Sequence, residues 1–200
     1  MSGAAEAGKR ERTKQANRAA ILHAARDAFV ELGYGATTVR DIVRRTALAS
    51  GTFYNYFPDK EAVFRALVDE TARAAAERTH HARRSATTLE EFLGLGFRVY
   101  FELLLADRAT FELVRRNAGT VRAMFDEPAI GAGVDLLADD LRAAIGSGLL
   151  PDHDARMMAS AMAGATFELA VRMLEDDAPD VERAVGFCTR LFAGGLARLG

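Results

Sequence analysis

The stretch SGTFYNYFPDKEAVF, residues 50–64, sets Phe53, Tyr54, Tyr56 and Phe57 within five positions and follows them with Pro58 and charge. A purely internal segment would have to satisfy the hydroxyls of Thr52, Tyr54 and Tyr56 and the amide of Asn55 without water, which is costly. Helical spacing resolves the conflict. At about 3.6 residues per turn Phe53 and Phe57 share one face and pack inward, while Tyr54 and Asn55 lie on other faces and, with Tyr56, offer polar groups outward. Ser50, Gly51 and Thr52 are sterically modest at the leading end, as suits a helix entering a major groove about 12 Å wide. Pro58 prevents that helix from continuing unchanged, and Asp59 caps a longer one carrying Val63, Phe64, Leu67 and Val68 on one side. Lys60 adds a cation in its first turn, beside backbone N–H groups that favour an anion.

Upstream, TTVRDIV (37–43) places Thr38 three residues before Asp41. This is a capping-box pattern for a helix of about eight residues, with Val39, Ile42 and Val43 inward and Arg40, Arg44 and Arg45 outward. The turn Thr46-Ala47-Leu48 then joins two short helices closely enough for a helix-turn-helix. Before them, Ile21, Ala25, Ala28, Phe29 and Leu32 recur at helical spacing from Ala16 to Leu32, and Gly33 and Gly35 end the pattern. Lys9, Arg10, Arg12, Lys14 and Arg18 form a basic arm suited to phosphate.

The net charge of −2 conceals a division. Residues 1–86 hold 15 Lys and Arg against 10 Asp and Glu, whereas the remainder holds 11 against 18. A basic front and an acidic back imply different partners. Half of the residues are apolar, enough to build a sizeable core. There is neither an apolar run of membrane-spanning length nor a secretory-type apolar stretch near the N-terminus, so a cytoplasmic protein with no membrane partner is expected. Cys188 stands alone inside an apolar segment, which excludes an internal disulfide and reads as packing.

Taken together, TTVRDIV, the short turn and SGTFYNYFPDKEAVF closely resemble the N-terminal domain of the TetR/AcrR family of transcriptional regulators, over about residues 17–68. The resemblance implies a dimer that places one helix-turn-helix in each of two successive major grooves of a (pseudo)palindromic double-stranded DNA operator. It implies that Ser50, Gly51, Thr52, Tyr54 and Asn55 hold the recognition-helix positions, and that Thr38, Tyr56 and Lys60 match phosphate contacts. Charge and facing add Arg44 and Arg45. The chain departs from the family pattern at Thr46-Ala47-Leu48-Ala49. Ala47 lacks glycine's access to positive φ and Ala49 lacks a capping hydroxyl, which makes Ser50 the candidate for the cap.

Behind a polar hinge at residues 78–88, helices are expected over 88–106, 107–125, 128–146, 153–176 and 180–199, with no strand pattern. The expected fold is all-α: a flexible basic arm over 1–15, a helix-turn-helix domain over 16–60, a connecting helix over 61–84, and a C-terminal effector-binding and dimerisation domain over 85–200. The last two helices are rich in small residues, among them Ala159, Ala161, Gly164, Gly194 and Ala197, and are expected to form the homodimer interface. The aromatic stock before them suggests a chamber for a hydrophobic small-molecule effector such as an acyl compound or aromatic drug. Its candidate lining is Phe97, Tyr100, Phe101, Leu104, Phe111, Phe125 and Phe167, with Arg98, Arg115 and Glu168 as polar handles.

His80-His81 are adjacent, diverge by about 100° on a helix and cannot comfortably chelate one ion, so a solvated or hinge role is expected. No nucleophile elbow, phosphate-cradling loop or metal-protease helix occurs. The reading is a non-enzymatic, cofactor-free, ligand-responsive DNA-binding regulator, a repressor released by a hydrophobic molecule. The alternative is a dimeric regulator with a filled core, controlled by a protein partner.

Overall fold

The computed structural model of the chain describes residues 2–117, 119–120 and 128–199. Its named helices are α1 (Ser2–Leu32), α2 (Val39–Arg44), α3 (Ser50–Tyr54), α4 (Lys60–Arg83), α5 (Leu89–Ala106), α6 (Arg108–Arg116), α7 (Pro128–Gly146), α8 (Ala155–Glu175) and α9 (Val181–Leu196). No strand occurs among the described residues, and the all-α expectation holds.

Helix α1 begins fourteen residues before the expected Ala16, so the basic stretch is helical rather than a flexible arm. Ala, Glu, Lys, Arg and Gln are strong helix formers, and Gln15 bonds back to Glu11 one turn earlier. At the other end Gly33 adopts φ +81°, and its N–H donates to Phe29 O at 3.0 Å. A left-handed residue at this position terminates a helix at little cost only if it is glycine.

Among the described residues, two apolar clusters organise the fold. The first joins Ile21, Leu22, Ala25 and Phe29 of α1, Ile42 of α2, Phe53 and Phe57, and Val63, Phe64 and Val68 of α4. Phe29, Tyr34 and Phe64 meet edge-on or tilted, with ring centroids 4.6–5.9 Å apart. Leu113 of α6 also enters this cluster, which ties the C-terminal domain to the first. The second cluster is built from α5 to α9 around Leu93, Phe101, Leu141, Met162, Leu174 and Leu196. Helix α5 packs on α4 and α9, and α7 on α4 and α8. Helix α4 therefore belongs to both domains.

The C-terminal helices follow the expected breaks, with one exception. The helix expected over 107–125 stops at Arg116, where Asn117 Nδ2 donates to Leu113 O at 2.8 Å and satisfies one terminal carbonyl. Cys188 is buried and its thiol is pushed up to about 11 by desolvation, as a packed side chain should be.

Candidate nucleic-acid interface and effector chamber

The helix-turn-helix is framed by local hydrogen bonds. Asp41 N–H donates to Thr38 Oγ1 at 3.3 Å, while Thr38 N–H donates to Asp41 Oδ2 at 2.9 Å, which completes the capping box. Thr38 Oγ1 lies 2.6 Å from the same carboxylate oxygen, and these bonds from Thr38 hold the Asp41 carboxyl below its ordinary pKa. The hydroxyl proton expected to meet a phosphate is thus engaged by Asp41.

The turn accommodates its alanines without strain. No non-glycine residue among those described has positive φ. Thr46 Oγ1 donates to Val43 O at 2.8 Å and accepts from Leu48 N–H at 3.2 Å, a side-chain turn that takes over the work expected of glycine. Ser50 does not become the cap. Ala49 keeps that position with no side-chain hydrogen bond, and Ser50 is the first helical residue.

On α3 and in the turn that follows it, Phe53 and Phe57 are buried, while Ser50, Gly51, Tyr54 and Asn55 are exposed and Thr52 is half-buried. Tyr54 is 58% exposed, too much for a core tyrosine of this size. Tyr56 Oη accepts from Asn17 Nδ2 at 3.1 Å, which fixes it against α1. It shares a surface cleft with Lys9, Arg10, Thr13 and Lys14, so the helical extension of α1 brings its cations beside the end of α3. Arg44 is exposed. Arg45 instead donates to Glu31 at 2.6 Å and to Asp41 O at 2.9 Å.

Lys60 departs furthest from expectation. Its ammonium donates to Tyr34 O at 3.0 Å, Gly35 O at 3.1 Å and Thr37 O at 3.0 Å, and lies 5.0 Å from the Tyr34 ring centre. An ammonium has three donors, and all are used. Lys60 staples the α1–α2 turn to the start of α4.

In the C-terminal domain a cavity of about 210 Å³ lies between α4, α5, α6, α7 and α8. Five of the expected residues line it: Phe97, Tyr100, Leu104, Phe111 and Phe167. Burial raises the Tyr100 phenol well above its ordinary pKa. Phe101 is wholly buried in the core instead, one position round the helix. Arg98 is tied to Glu182 of α9 and Arg115 to Glu112 and Glu175, so both handles serve ion pairs on the outside of the bundle. Glu168 is exposed and outside the lining, and Phe125 lies outside the described residues.

Sequence reasoning missed the α4 wall. Ala72, Ala75, Ala76 and Thr79 leave the space that the aromatics enclose, and Arg83 closes one end. At the other end Asp107 and Thr110 line the cavity while gripping Arg26 of α1. His80 is not merely solvated: its Nδ1 pairs with Asp140 of α7, which also holds Arg83. Among the described residues no group of three or more His, Cys, Asp or Glu is placed to hold a metal ion, and no helix is long and apolar enough to cross a membrane.

A helix-turn-helix with a small exposed reading face, joined by one shared helix to a bundle with an internal chamber, defines a two-domain transcription regulator. Residues 21–67 match the family described as bacterial regulatory proteins, tetR family. That match spans the helix-turn-helix and the first turns of α4. It is similar to the fatty acid degradation regulator FadR of Bacillus halodurans, at 25% identity over 92% of this chain and 97% of that one, with a TM-score of 0.75. A FadR of Bacillus subtilis in complex with stearoyl-CoA shares the fold at 24% identity, covering 88% of this chain and 97% of that one, with a TM-score of 0.73. The HTH-type transcriptional activator FasR of Mycolicibacterium smegmatis is 23% identical over 91% of this chain and 84% of that protein. Further curated regulators at 32–41% identity are spanned over only 32–52% of their own length.

Proposed function

We propose that the chain is a homodimeric repressor that binds operator DNA through α2 and α3 and is released by an acyl compound in the chamber. The observation that carries this reading is the double membership of α4. Its first turns bury Val63, Phe64 and Val68 in the DNA-binding core, while its later turns wall the cavity with Ala72, Ala76, Thr79 and Arg83. A ligand that favours one spacing of α4 against α5 to α8 necessarily favours one placement of the helix-turn-helix. An open chamber also supports control by a small molecule over control through a protein partner on a filled core.

Ser50, Gly51, Thr52, Tyr54 and Asn55 face the bases in this reading. Tyr56, Arg44 and the cations of α1 meet phosphates, with Thr38, Arg45 and Lys60 holding the frame. The second copy sits on α8 and α9, where Met157, Phe187 and Leu191 are 71%, 48% and 50% exposed. Gly164 and Gly194 have open space where a side chain would stand, which permits close helix approach. Ala159 is not part of that surface, being buried in the core. The acyl assignment draws on the apolar lining and on the stearoyl-CoA complex of the Bacillus subtilis FadR.

In vitro selection from a random duplex library tests the DNA half of the proposal. The expected product is a two-fold symmetric site with half-sites about one helical turn, roughly 34 Å, apart. Failure to enrich any sequence would contradict it.

A further inference from the structure

With one exception, the polar side chains that line the chamber are engaged within the protein. Thr71, Thr79 and Thr166 donate to the backbone carbonyls of Leu67, Ala76 and Met162, each within its own helix. Thr110 Oγ1 accepts from Arg26, and Asp107 accepts from Arg26 and from the Thr110 N–H. Arg83 is held by Asp140 through Nη1 at 3.1 Å. A Cβ at Gly96 would stand 2.5 Å from Arg83 Nε, so the other edge of that guanidinium is packed against α5 and closed to the chamber.

The exception is Tyr100. Its Oη has no hydrogen-bond partner among the described residues, and desolvation alone raises its phenol. Arg83 Nε, His153 Nε2 and Thr189 Oγ1 are the described side-chain atoms that are both unpartnered and sealed from access, and Tyr100 Oη is not one of them. The residue is half-buried. A hydroxyl set deep in the bundle that still keeps accessible surface faces a cavity, and the cavity that Tyr100 lines is the chamber. An O–H in apolar surroundings without an acceptor is unfavourable, and an acceptor carried in by a ligand removes that penalty.

Resting on the reading of this cavity as an effector chamber, we infer that Tyr100 determines its specificity by donating its hydroxyl to the carbonyl oxygen of a neutral acyl group. A carbonyl oxygen accepts a hydrogen bond without bringing charge, which matches a wall with one spare donor. Among the described lining residues no cation is left to compensate a carboxylate: Arg83 already faces Asp140, and Asp107 is itself an anion. A hydrocarbon brings no acceptor and leaves the hydroxyl unpaired. The ligand class is therefore a neutral acyl ester rather than a free acid, with its chain against Phe97, Leu104 and Phe111.

The test uses methyl decanoate labelled with carbon-13 at its carbonyl, with the full-length wild-type protein and Tyr100→Phe. Calorimetry should show the ester bound about tenfold tighter by wild type, the scale of one hydrogen bond to a carbonyl otherwise left unsatisfied. Infrared spectra of the bound ester should place the labelled carbonyl stretch at lower frequency in wild type than in the variant. Decanoate should bind wild type more weakly than its methyl ester does. The melting temperature of Tyr100→Phe should equal or exceed that of wild type, because the hydroxyl has no partner in the protein to lose. Equal ester affinity in the two proteins, a single carbonyl frequency in both, tighter binding of decanoate, or a lowered melting temperature would each overturn the role of Tyr100 while leaving the chamber intact. Ala75→Leu narrows the α4 wall and should weaken the ester in the same titration. An ester that does not bind wild type, or that binds Ala75→Leu equally well, would overturn the chamber reading itself, and the role of Tyr100 with it.

Discussion

Arg26 on α1 donates from Nε to Thr110 Oγ1 at 2.6 Å, reaching from the DNA-binding domain onto a residue that lines the chamber. Its Nη2 also pairs with Asp107, the N-cap of α6. The contact gives the chamber a second route to the helix-turn-helix, independent of α4. Arg26→Met should cost about 1 kcal/mol in urea denaturation, in line with the loss of partly exposed charge-assisted bonds. It should also reduce the change in DNA affinity caused by a bound effector. An undiminished effector response in that variant would remove the clasp as a route of coupling.

The same clasp gives an acid limit. Desolvation raises the Asp107 carboxyl, but bonds from Thr110 and Arg26 outweigh it and bring the group below its ordinary value of 3.8. A depressed carboxylate stabilises the fold fully above that value, and its contribution is lost as pH falls through the lower folded value. Thermal melts of Asp107→Asn should therefore differ from wild type at pH 7, and the gap should close as pH falls below 3.8 and through the lower folded value. A gap that persists unchanged into strong acid would contradict the assignment.

Lys60→Ala should act mainly on stability. Its ammonium satisfies three carbonyls of the α1–α2 turn, so its loss should cost roughly 1–3 kcal/mol and lower the melting temperature. The slope of DNA affinity against salt should stay close to wild type. A slope reduced by about one charge, with stability unchanged, would restore the phosphate contact that the family resemblance implies.

Much of this architecture is legible in the residues because facing is written in their spacing. Phe53 and Phe57 fall one turn apart and are buried; Tyr54 and Asn55 fall between and are exposed. The same spacing gave five of the chamber's aromatic and aliphatic residues. The extension of α1 was not legible, since its cations carry no apolar stripe and helix propensity alone does not mark a boundary. Nor was the α4 wall: Ala72, Ala75 and Ala76 create space only when opposed by Phe97 and Phe111, which are distant in sequence. Arg83 reads as one more solvated charge in a polar hinge until Gly96 and Asp140 are brought against it.

Tyr54→Ala with Asn55→Ala should leave the fold intact, because both side chains are exposed and the cluster below is carried by Phe53 and Phe57. Affinity for the selected duplex should fall by about 10–100-fold, with little change for unrelated DNA. Equal loss on both would assign these residues to phosphate rather than to bases.

The most direct test of ligand control is fluorescence anisotropy of the selected duplex bound to the wild-type dimer and titrated with dodecanoate and dodecanoyl-CoA. At saturation of the chamber by either compound, operator affinity should fall by about tenfold or more, the scale of a typical coupling free energy. Unchanged operator affinity with the chamber demonstrably occupied would contradict the account.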